Sequence, residues 1–204
     1  MRRYLIPLPM LALLLSCGEA PKSAAPAAKK EVKPPEAVTG RYALYQMFAP
    51  ARTWAPDAQV LELKSIQLPE VKAEPGKAAA WEATFVSPSR GMARSYTYSV
   101  IEAPGNLHKG PFAGAEQGYT PRPQNSPFLI AAVKTDSDEV YKAALKKAAD
   151  YEKKNPGLPI NIILEKTPRT TNPAWRVIWG ESVSRSNFSI YMDASTGDYL
   201  QTMR

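Results

Sequence analysis

The sequence has very little cysteine and histidine, the side chains that most often build catalytic and metal sites: its 204 residues include one of each, Cys17 and His108. One cysteine excludes an intrachain disulfide, so a chain exported to an oxidising compartment has to be stable without one. One histidine gives a serine or cysteine nucleophile at most one conventional base, and the two residues cannot build a zinc site. A glycine-rich phosphate loop between a strand and a helix is also missing. We therefore expect a non-enzymatic protein without catalytic residues, cofactor or metal.

The sequence has only one long apolar run, and it lies at the N-terminus. A basic start at Arg2 and Arg3 precedes the apolar residues 4–15, and Ser16-Cys17-Gly18 follows; this is the order of an export signal. The run of about a dozen residues is shorter than the roughly 20 that a transmembrane helix needs. We therefore interpret it as a signal and not as a permanent span, and we expect a soluble body after it.

The four residues at the end of this signal resemble a motif of a known protein family. Leu14-Leu15-Ser16-Cys17 resembles the lipobox of bacterial lipoproteins, in which the cysteine receives diacylglycerol. The resemblance implies a lipoprotein signal peptide over residues 1–16 and lipidation of Cys17, which would hold the protein at a bacterial membrane, facing the periplasm or the exterior of the cell envelope. Gly18 stands where many inner-membrane lipoproteins of enteric bacteria have Asp, and this favours the outer membrane. The alternative is an ordinary secretory signal with an incidental cysteine.

Charge of one sign is not concentrated anywhere in the chain. The 26 Lys and Arg residues against 19 Asp and Glu give a formal charge of +7, and removing residues 1–16 takes away Arg2 and Arg3 and lowers it to +5. This excess is compatible with an anionic envelope surface, and it is too weak and scattered to indicate nucleic acid. We expect membrane contact through the lipid on Cys17, an envelope protein or peptide as the partner, and no nucleic acid.

Composition and repetition divide the mature chain. Residues 17–39 are mainly Ala, Pro, Lys and Glu, which predicts a disordered tether. Further along, three segments recur at offsets of 94, 91 and 100 residues: 80–85 with 174–179, 94–100 with 185–191, and 56–63 with 156–163. We interpret these echoes as two diverged copies of one unit, the alternative being chance similarity of short apolar strands. The predicted units are residues 40–107 and 133–204, joined by a Gly/Pro-rich, irregular or partly mobile connection over residues 108–132.

The second copy has the clearer pattern. Its apolar residues follow helical spacing at Val140, Tyr141, Ala144, Leu145, Ala148 and Tyr151. Asp136 or Ser137 can cap this helix, and Asn155-Pro156-Gly157 ends it. Three alternating strands follow, at residues 160–165, 175–179 and 187–192. The predicted fold class is α+β, with two tandem units that each pack one helix on a small antiparallel sheet (α-β-β-β).

The first copy is less regular. A short helix is indicated by Tyr42, Tyr45, Phe48, Ala49 and Arg52, with Pro50 and Pro56 as its bounds. Strands are expected at residues 61–63, 81–86 and 96–101.

The end of the second copy resembles a PepSY-type domain. Asn172-Pro173-Ala174-Trp175-Arg176-Val177 is followed by a strand that closes in Asp193-Ala194-Ser195-Thr196-Gly197, similar to the Val-Asp-x-x-Thr-Gly turn of that family, and the match covers residues 133–202. The first copy departs from the pattern, because Glu102-Ala103-Pro104-Gly105-Asn106 lacks the threonine. The resemblance implies a non-catalytic module of protease propeptides and of secreted or membrane-attached bacterial proteins, for which peptidase binding or inhibition has been proposed.

Four residues are candidates for partner contact: Arg176, Tyr191, Trp175 and Trp179. Trp175 and Trp179 share one face of a strand, where with Tyr191 or Phe188 they form either an aromatic ligand platform or part of the core. If the opposite face is exposed, Arg176 and Tyr191 are the better candidates, since Arg and Tyr are enriched in interfaces.

The segment from Asp193 to Asp198 invites a calcium interpretation, but the ligand alternation of an EF-hand is missing. We predict a tight turn in which Asp193 accepts backbone hydrogen bonds and Gly197 has positive φ.

The function expected from these patterns is that of a membrane-anchored extracytoplasmic lipoprotein. It would act as a non-catalytic binding module for an envelope protein or peptide and would modulate a peptidase if the PepSY resemblance extends to function. One alternative is a lipoprotein that binds or senses a small molecule or glycan through its tryptophans. Another is a cell-wall hydrolase that uses only carboxylates.

Overall fold

The structure is a computed structural model of the chain and describes residues 33–204. The predicted signal peptide, the lipidation site Cys17 and most of the predicted tether therefore lie outside the described residues. At the far end of that tether, Ala37 is buried and Val38–Thr39 forms a short strand, β1. Residues 37–39, which the sequence assigned to the tether, therefore belong to the folded part of the chain.

Each of two α-helices is followed by a run of antiparallel strands. The first run is α1 (Gly40–Trp54), β2 (Gln59–Ile66), β3 (Lys77–Ala78), β4 (Ala80–Ser87), β5 (Met92–Ser99) and β6 (Gly110–Gly118). The second is α2 (Ser137–Lys154), β7 (Ile160–Glu165), β8 (Ala174–Trp179), β9 (Ser189–Asp193) and β10 (Tyr199–Met203). Short 3₁₀ helices occur at Ile130–Ala132 and Val183–Arg185. None of the helices in residues 33–204 is long and apolar enough to cross a membrane.

Eight of the strands form one antiparallel sheet in the order β10-β9-β8-β7-β2-β4-β5-β6, while β1 and β3 pair separately. At the centre of the sheet Leu63 of β2 lies opposite Leu164 of β7. The α+β class and the antiparallel sheet are confirmed. Each helix is followed by four strands of this sheet and not by the three predicted. The additional strands are β6, in the segment expected to be an irregular connection, and β10, at the C-terminal end.

Both helices pack on the same face of the sheet and share one hydrophobic core, within a single compact unit over Pro34–Arg204. The apolar stripe predicted for α2 is confirmed at its four buried positions, Val140, Tyr141, Ala144 and Ala148. The helix predicted from Tyr42, Tyr45, Phe48, Ala49 and Arg52 is present as α1. The residues that α1 buries are Gly40, Ala43, Leu44, Met47 and Ala51, whereas Tyr42 and Tyr45 are 48% and 43% exposed. The helix also continues through Pro50 to Trp54.

Two tryptophans meet where the two helices begin. The rings of Trp81 and Trp175 have centroids 6.5 Å apart at an interplanar angle of 71°, an edge-to-face arrangement that aromatic pairs favour. Trp81 Nε1 donates to the carbonyl of Val38 at 3.0 Å, and Trp175 Nε1 donates to that of Thr135 at 3.2 Å. Each indole therefore holds the chain just before a helix begins.

Candidate functional site

The face of the sheet without helices carries a row of polar and charged side chains. Side chains alternate between the two faces of a strand, so burial of Leu164 and Trp175 against the helices turns their neighbours Glu165 and Arg176 to the other face. In register, Glu62 lies opposite Glu165, and Arg176 lies opposite Tyr191. We refer to this helix-free surface as the open face.

The chain between β6 and α2 crosses one end of the open face. The backbone nitrogen of Tyr119 donates to the carbonyl of Gly91 at 2.8 Å, and that of Ser126 donates to the carbonyl of Lys166 at 2.9 Å. Between this crossing segment and the loop from β7 to β8 lies a cavity of about 460 Å³. Its polar lining comes from Gln124, Glu165, Thr167, Arg169, Arg176 and Tyr191. We call it the Tyr191 pocket.

Hydrogen bonds and ring contacts fix the side chains of the Tyr191 pocket. The hydroxyl of Tyr191 donates to Glu165 Oε1 at 3.0 Å. The guanidinium of Arg176 lies 5.2 Å from the centroid of the Tyr191 ring, within the range of a cation–π contact, and its Nε donates to Ser189 Oγ at 3.0 Å. Arg169 Nη1 lies 3.3 Å from Met203 Sδ. Tyr191 and Arg176 are therefore held in place before any ligand enters.

Burial changes the acid–base behaviour of two groups in the pocket. Desolvation raises the pKa of the Glu165 carboxyl, and the hydrogen bond from Tyr191 and the charge of Arg176 oppose this only in part. Burial, reinforced by the negative charge of Glu165, raises the pKa of Tyr191 to about 12. Tyr191 is therefore a protonated hydrogen-bond donor throughout the physiological range.

The two arginines of the Tyr191 pocket outnumber its acidic side chains. Within residues 33–204, neither Arg169 nor Arg176 takes part in a salt bridge. Of the side chains that line the pocket, two are cationic and only Glu165 is acidic. The pocket thus has a surplus of positive charge when Glu165 is ionised, and a larger one when it is protonated.

The structure separates the four predicted contact residues into two pairs. Arg176 and Tyr191 lie together on the open face, where Arg176 is partly exposed but Tyr191 is only 4% exposed, so the exposed face of the second alternative is present at Arg176 and not at Tyr191. Trp175 and Trp179 are 0% and 1% exposed, so their prediction as partner-binding residues was wrong. They point into the core because both helices pack on their side of β8; Trp179, for example, contacts the ring of Phe188 at 5.4 Å between centroids.

Sequence reasoning missed Glu165 and Arg169. Glu165 ends the apolar run of β7 and lies diagonally from Arg176, because the antiparallel register pairs Glu165 with Ala174 of β8. Arg169 comes from the loop between these strands. The polar end of an otherwise apolar strand could have indicated Glu165, but a single sequence does not show which strands pair or in which register.

The turn after β9 has the geometry that the sequence predicts. Asp193 Oδ1 accepts from the backbone nitrogens of Ser195 at 2.7 Å and Thr196 at 3.0 Å, and Gly197 has a φ of +82°. The prediction of a tight turn is confirmed. Within residues 33–204 there is no group of three or more His, Cys, Asp or Glu residues that could hold a metal ion.

The single histidine pairs with an acidic side chain. His108 Nδ1 lies 3.1 Å from Glu102 Oε2, and its ring packs on Phe112 with centroids 4.3 Å apart. Among the described residues, Glu102 is its only side-chain hydrogen-bond partner. The pair ties together the loop before β6.

A second, larger cavity of about 760 Å³ lies on the helix side, between the loop from β2 to β3 and the start of β7. Its lining is mostly aliphatic and proline, including Leu68, Val71 and Leu158. Its closest charge pair, Lys77 Nζ with Glu74 Oε2 at 2.6 Å, is already neutralised. It therefore offers less than the Tyr191 pocket to orient a polar ligand.

Comparison of the chain with protein-family models, with curated proteins and with solved structures gave no match. The resemblances to lipoproteins and to PepSY-type domains remain predictions.

Proposed function

We propose that the protein is a lipid-anchored lipoprotein of the bacterial cell envelope that acts as a non-catalytic binding module, with the Tyr191 pocket as its contact site for an envelope protein or peptide. The observation that carries the proposal is the pocket on the open face, with the ordered Tyr191–Glu165 pair and two arginines that form no salt bridge within residues 33–204. Binding sites are typically concave, with a few fixed polar groups that orient the ligand. The anchor follows from the lipobox-like Cys17, outside the described residues.

A hydrolase that uses two carboxylates is the alternative with a specific observation behind it, because Glu62 and Glu165 are opposite each other on neighbouring strands. Two features disfavour it. Glu62 forms a salt bridge with Lys64, which neutralises it. The two carboxylates also line different cavities, so they do not flank one substrate position as paired catalytic carboxylates do.

We also propose that the two halves are diverged copies of one PepSY-like unit, a helix followed by antiparallel strands. The repeated indole contact supports this, because Trp81 and Trp175 each bind the carbonyl two residues before a helix begins. Aligning the tryptophans matches residues 80–85 with residues 174–179, the offset of 94 expected from the sequence. On the next strands, β5 and β9, the same alignment matches Tyr98 with Met192. The offset there is again 94, three residues more than the 91 predicted for these strands.

Site-specific cross-linking in intact cells tests the binding function. A photoreactive amino acid is placed at Gln124, an exposed residue at the pocket, and in a matched control at Lys146, an exposed residue of α2. We expect a defined envelope protein to cross-link at Gln124 and not at Lys146, and Arg176→Gln to reduce that product. Equal labelling at both positions, or recovery of uncross-linked monomer alone, would contradict the proposal.

A further inference from the structure

The arginines of the Tyr191 pocket present unused donors. The Nε of Arg176 donates to Ser189 Oγ, and its two terminal nitrogens make no hydrogen bond within residues 33–204. Among the described residues, the one hydrogen-bond partner of the Arg169 side chain is the thioether of Met203, a weak acceptor. Both side chains line the same cavity, so a ligand there meets guanidinium groups from β8 and from the loop before it.

Glu165 does not use these donors either. Its Oε1 accepts from Tyr191, and it forms no salt bridge with Arg169 or Arg176. With Glu165 ionised, the pocket lining has two positive charges against one negative, so a ligand with one negative charge balances the pocket. A cationic side chain would add to the surplus, and a doubly charged phosphate would exceed it.

Guanidinium groups recognise carboxylates through two parallel hydrogen bonds. Because the cation–π contact and the Ser189 hydrogen bond hold Arg176, little side-chain freedom remains to be lost on binding. A cavity of about 460 Å³ accommodates a few residues of a peptide. Gln124 and Thr167 add uncharged polar groups beside the arginines.

Building on the proposed binding function, we infer that the Tyr191 pocket recognises a peptide through a carboxylate, with Arg176 and Arg169 as its binding residues. The carboxylate comes from an acidic side chain or from the C-terminus of the partner. The chemistry is the same in both cases, and the test separates the two sources.

Calorimetric titration of the purified full chain in detergent with five probes provides the test. Acetyl-Ala-Ala-Glu-Ala-Ala-amide offers a side-chain carboxylate, and acetyl-penta-alanine with a free C-terminus offers a terminal one. The Gln and Lys analogues of the first peptide, and inorganic phosphate, are the comparison probes. We expect at least one carboxylate peptide to bind, and the Gln and Lys analogues and phosphate to bind about tenfold more weakly or not at all.

Variants locate the site. Arg176→Gln and Arg169→Gln should each weaken binding of the carboxylate peptide by about tenfold, and Arg176→Lys should restore part of it. Lys146→Gln, which removes a charge from the exposed side of α2, should leave binding unchanged. Thermal unfolding of each variant shows whether it is folded, and Arg176→Lys keeps the test informative if Arg176→Gln is not.

The outcomes separate the inference from the function on which it rests. Equal binding of the Glu and Gln peptides, preference for Lys or phosphate, or insensitivity to Arg176→Gln would overturn the carboxylate assignment. If the Gln124 cross-link to an envelope protein is nevertheless present, the binding function stands and only the ligand class is wrong. If neither a cross-link nor peptide binding is found, both are overturned.

Discussion

Asp136, the residue that caps α2, accepts a hydrogen bond from the backbone nitrogen of Arg41 in α1 at 2.9 Å. The same oxygen accepts from the backbone nitrogen of Ser137 at 2.7 Å, and the other accepts from Thr39 Oγ1, also at 2.7 Å. The capping residue of α1, Thr39, makes no side-chain cap of its own. One carboxylate therefore serves the N-termini of both helices, and it joins the two halves of the chain.

Asp136→Ala should destabilise the protein by about 2 kcal/mol, more than loss of an ordinary cap, because it leaves donors of both helices without a partner. Chemical denaturation followed by circular dichroism measures the change. Glu139→Ala, an exposed acidic residue in the first turn of the same helix, is the control and should have a small effect. Equal losses of stability in the two variants would mean that the Asp136 cap contributes no more than an exposed acidic residue.

Gly40→Ala should also be destabilising, by about 1–3 kcal/mol. A Cβ at Gly40 would lie 2.7 Å from the Trp175 ring and 2.9 Å from the Trp81 ring, so the tryptophan pair has to move. Tryptophan fluorescence and thermal unfolding report on the two effects. Gly118→Ala is the matched control, since a Cβ there meets nothing within 4 Å. Unchanged fluorescence and stability in Gly40→Ala would show that the pair has room to spare.

Local signals in the sequence predict the local structure well. The cap and buried stripe of α2 and the turn at Asp193 depend on residues close in the chain, and these predictions are confirmed. The buried face of α1 was not predicted, because Tyr42 and Tyr45, two of the residues that indicated the helix, are exposed. Strand β6 was missed because its strand conformation depends on pairing with β5, which a segment rich in glycine does not indicate.

The candidate site required information that no local pattern carries. Alternation in β8 predicts that Trp175 and Arg176 lie on opposite faces of the sheet, but it does not predict which face the helices cover. The proximity of Glu165 to Tyr191 depends on the register across β7, β8 and β9. Of the four predicted contact residues, Trp175 and Trp179 therefore lie in the core and Tyr191 is almost fully buried. Glu165 and Arg169 join the site only once the sheet is assembled.

Asp57 should make stability depend on pH in strongly acidic solution. Hydrogen bonds from the Ser87 hydroxyl at 2.6 Å and the Ser89 backbone nitrogen at 2.9 Å lower the pKa of Asp57 to about 2. An acid with a lowered pKa contributes stability that is present above its ordinary value, near ~4, and lost as pH falls through the folded value. Unfolding measured between pH 4 and 2 should therefore show a smaller decline in Asp57→Asn than in the unmodified protein.

Ser87→Ala removes the hydrogen bond that lowers the pKa of Asp57 most, so it should also reduce the decline in stability between pH 4 and 2. Ser184→Ala, at an exposed serine, should not change that decline. A decline identical in all four proteins would assign the acid sensitivity to other groups.

Cys17→Ser should abolish membrane attachment, because the hydroxyl does not accept the thioether-linked lipid. Cell fractionation should find the unmodified protein with the membranes and the variant outside them, and mass spectrometry should detect acyl chains only on the unmodified protein. Ser23→Ala, six residues further along, controls for changes near the cleavage point. A Cys17→Ser variant that still carries acyl groups would remove the basis for the anchor.

Glu165→Gln should stabilise the protein at neutral and alkaline pH. Burial raises the pKa of Glu165, so the folded state holds this proton more tightly than the unfolded state, and stability falls as pH rises from the ordinary pKa through the folded one. The charged and titratable groups that influence Glu165 are Glu62 and Lys64 of β2, Arg176 of β8 and Tyr191 of β9. Glutamine keeps an acceptor for Tyr191 but cannot ionise, so the difference from the unmodified protein should vanish in acid and grow with pH.

Denaturation at several pH values measures this difference, and Glu181→Gln is the control, because the Glu181 side chain is 65% exposed in its pair with Arg185. If the pocket recognises carboxylates, Glu165→Gln should also bind the glutamate peptide more tightly at neutral pH, since it removes the one negative charge among the lining side chains. Weaker peptide binding in this variant, together with unaltered stability, would mean that Glu165 helps to hold the ligand and that the pocket selects for a different charge.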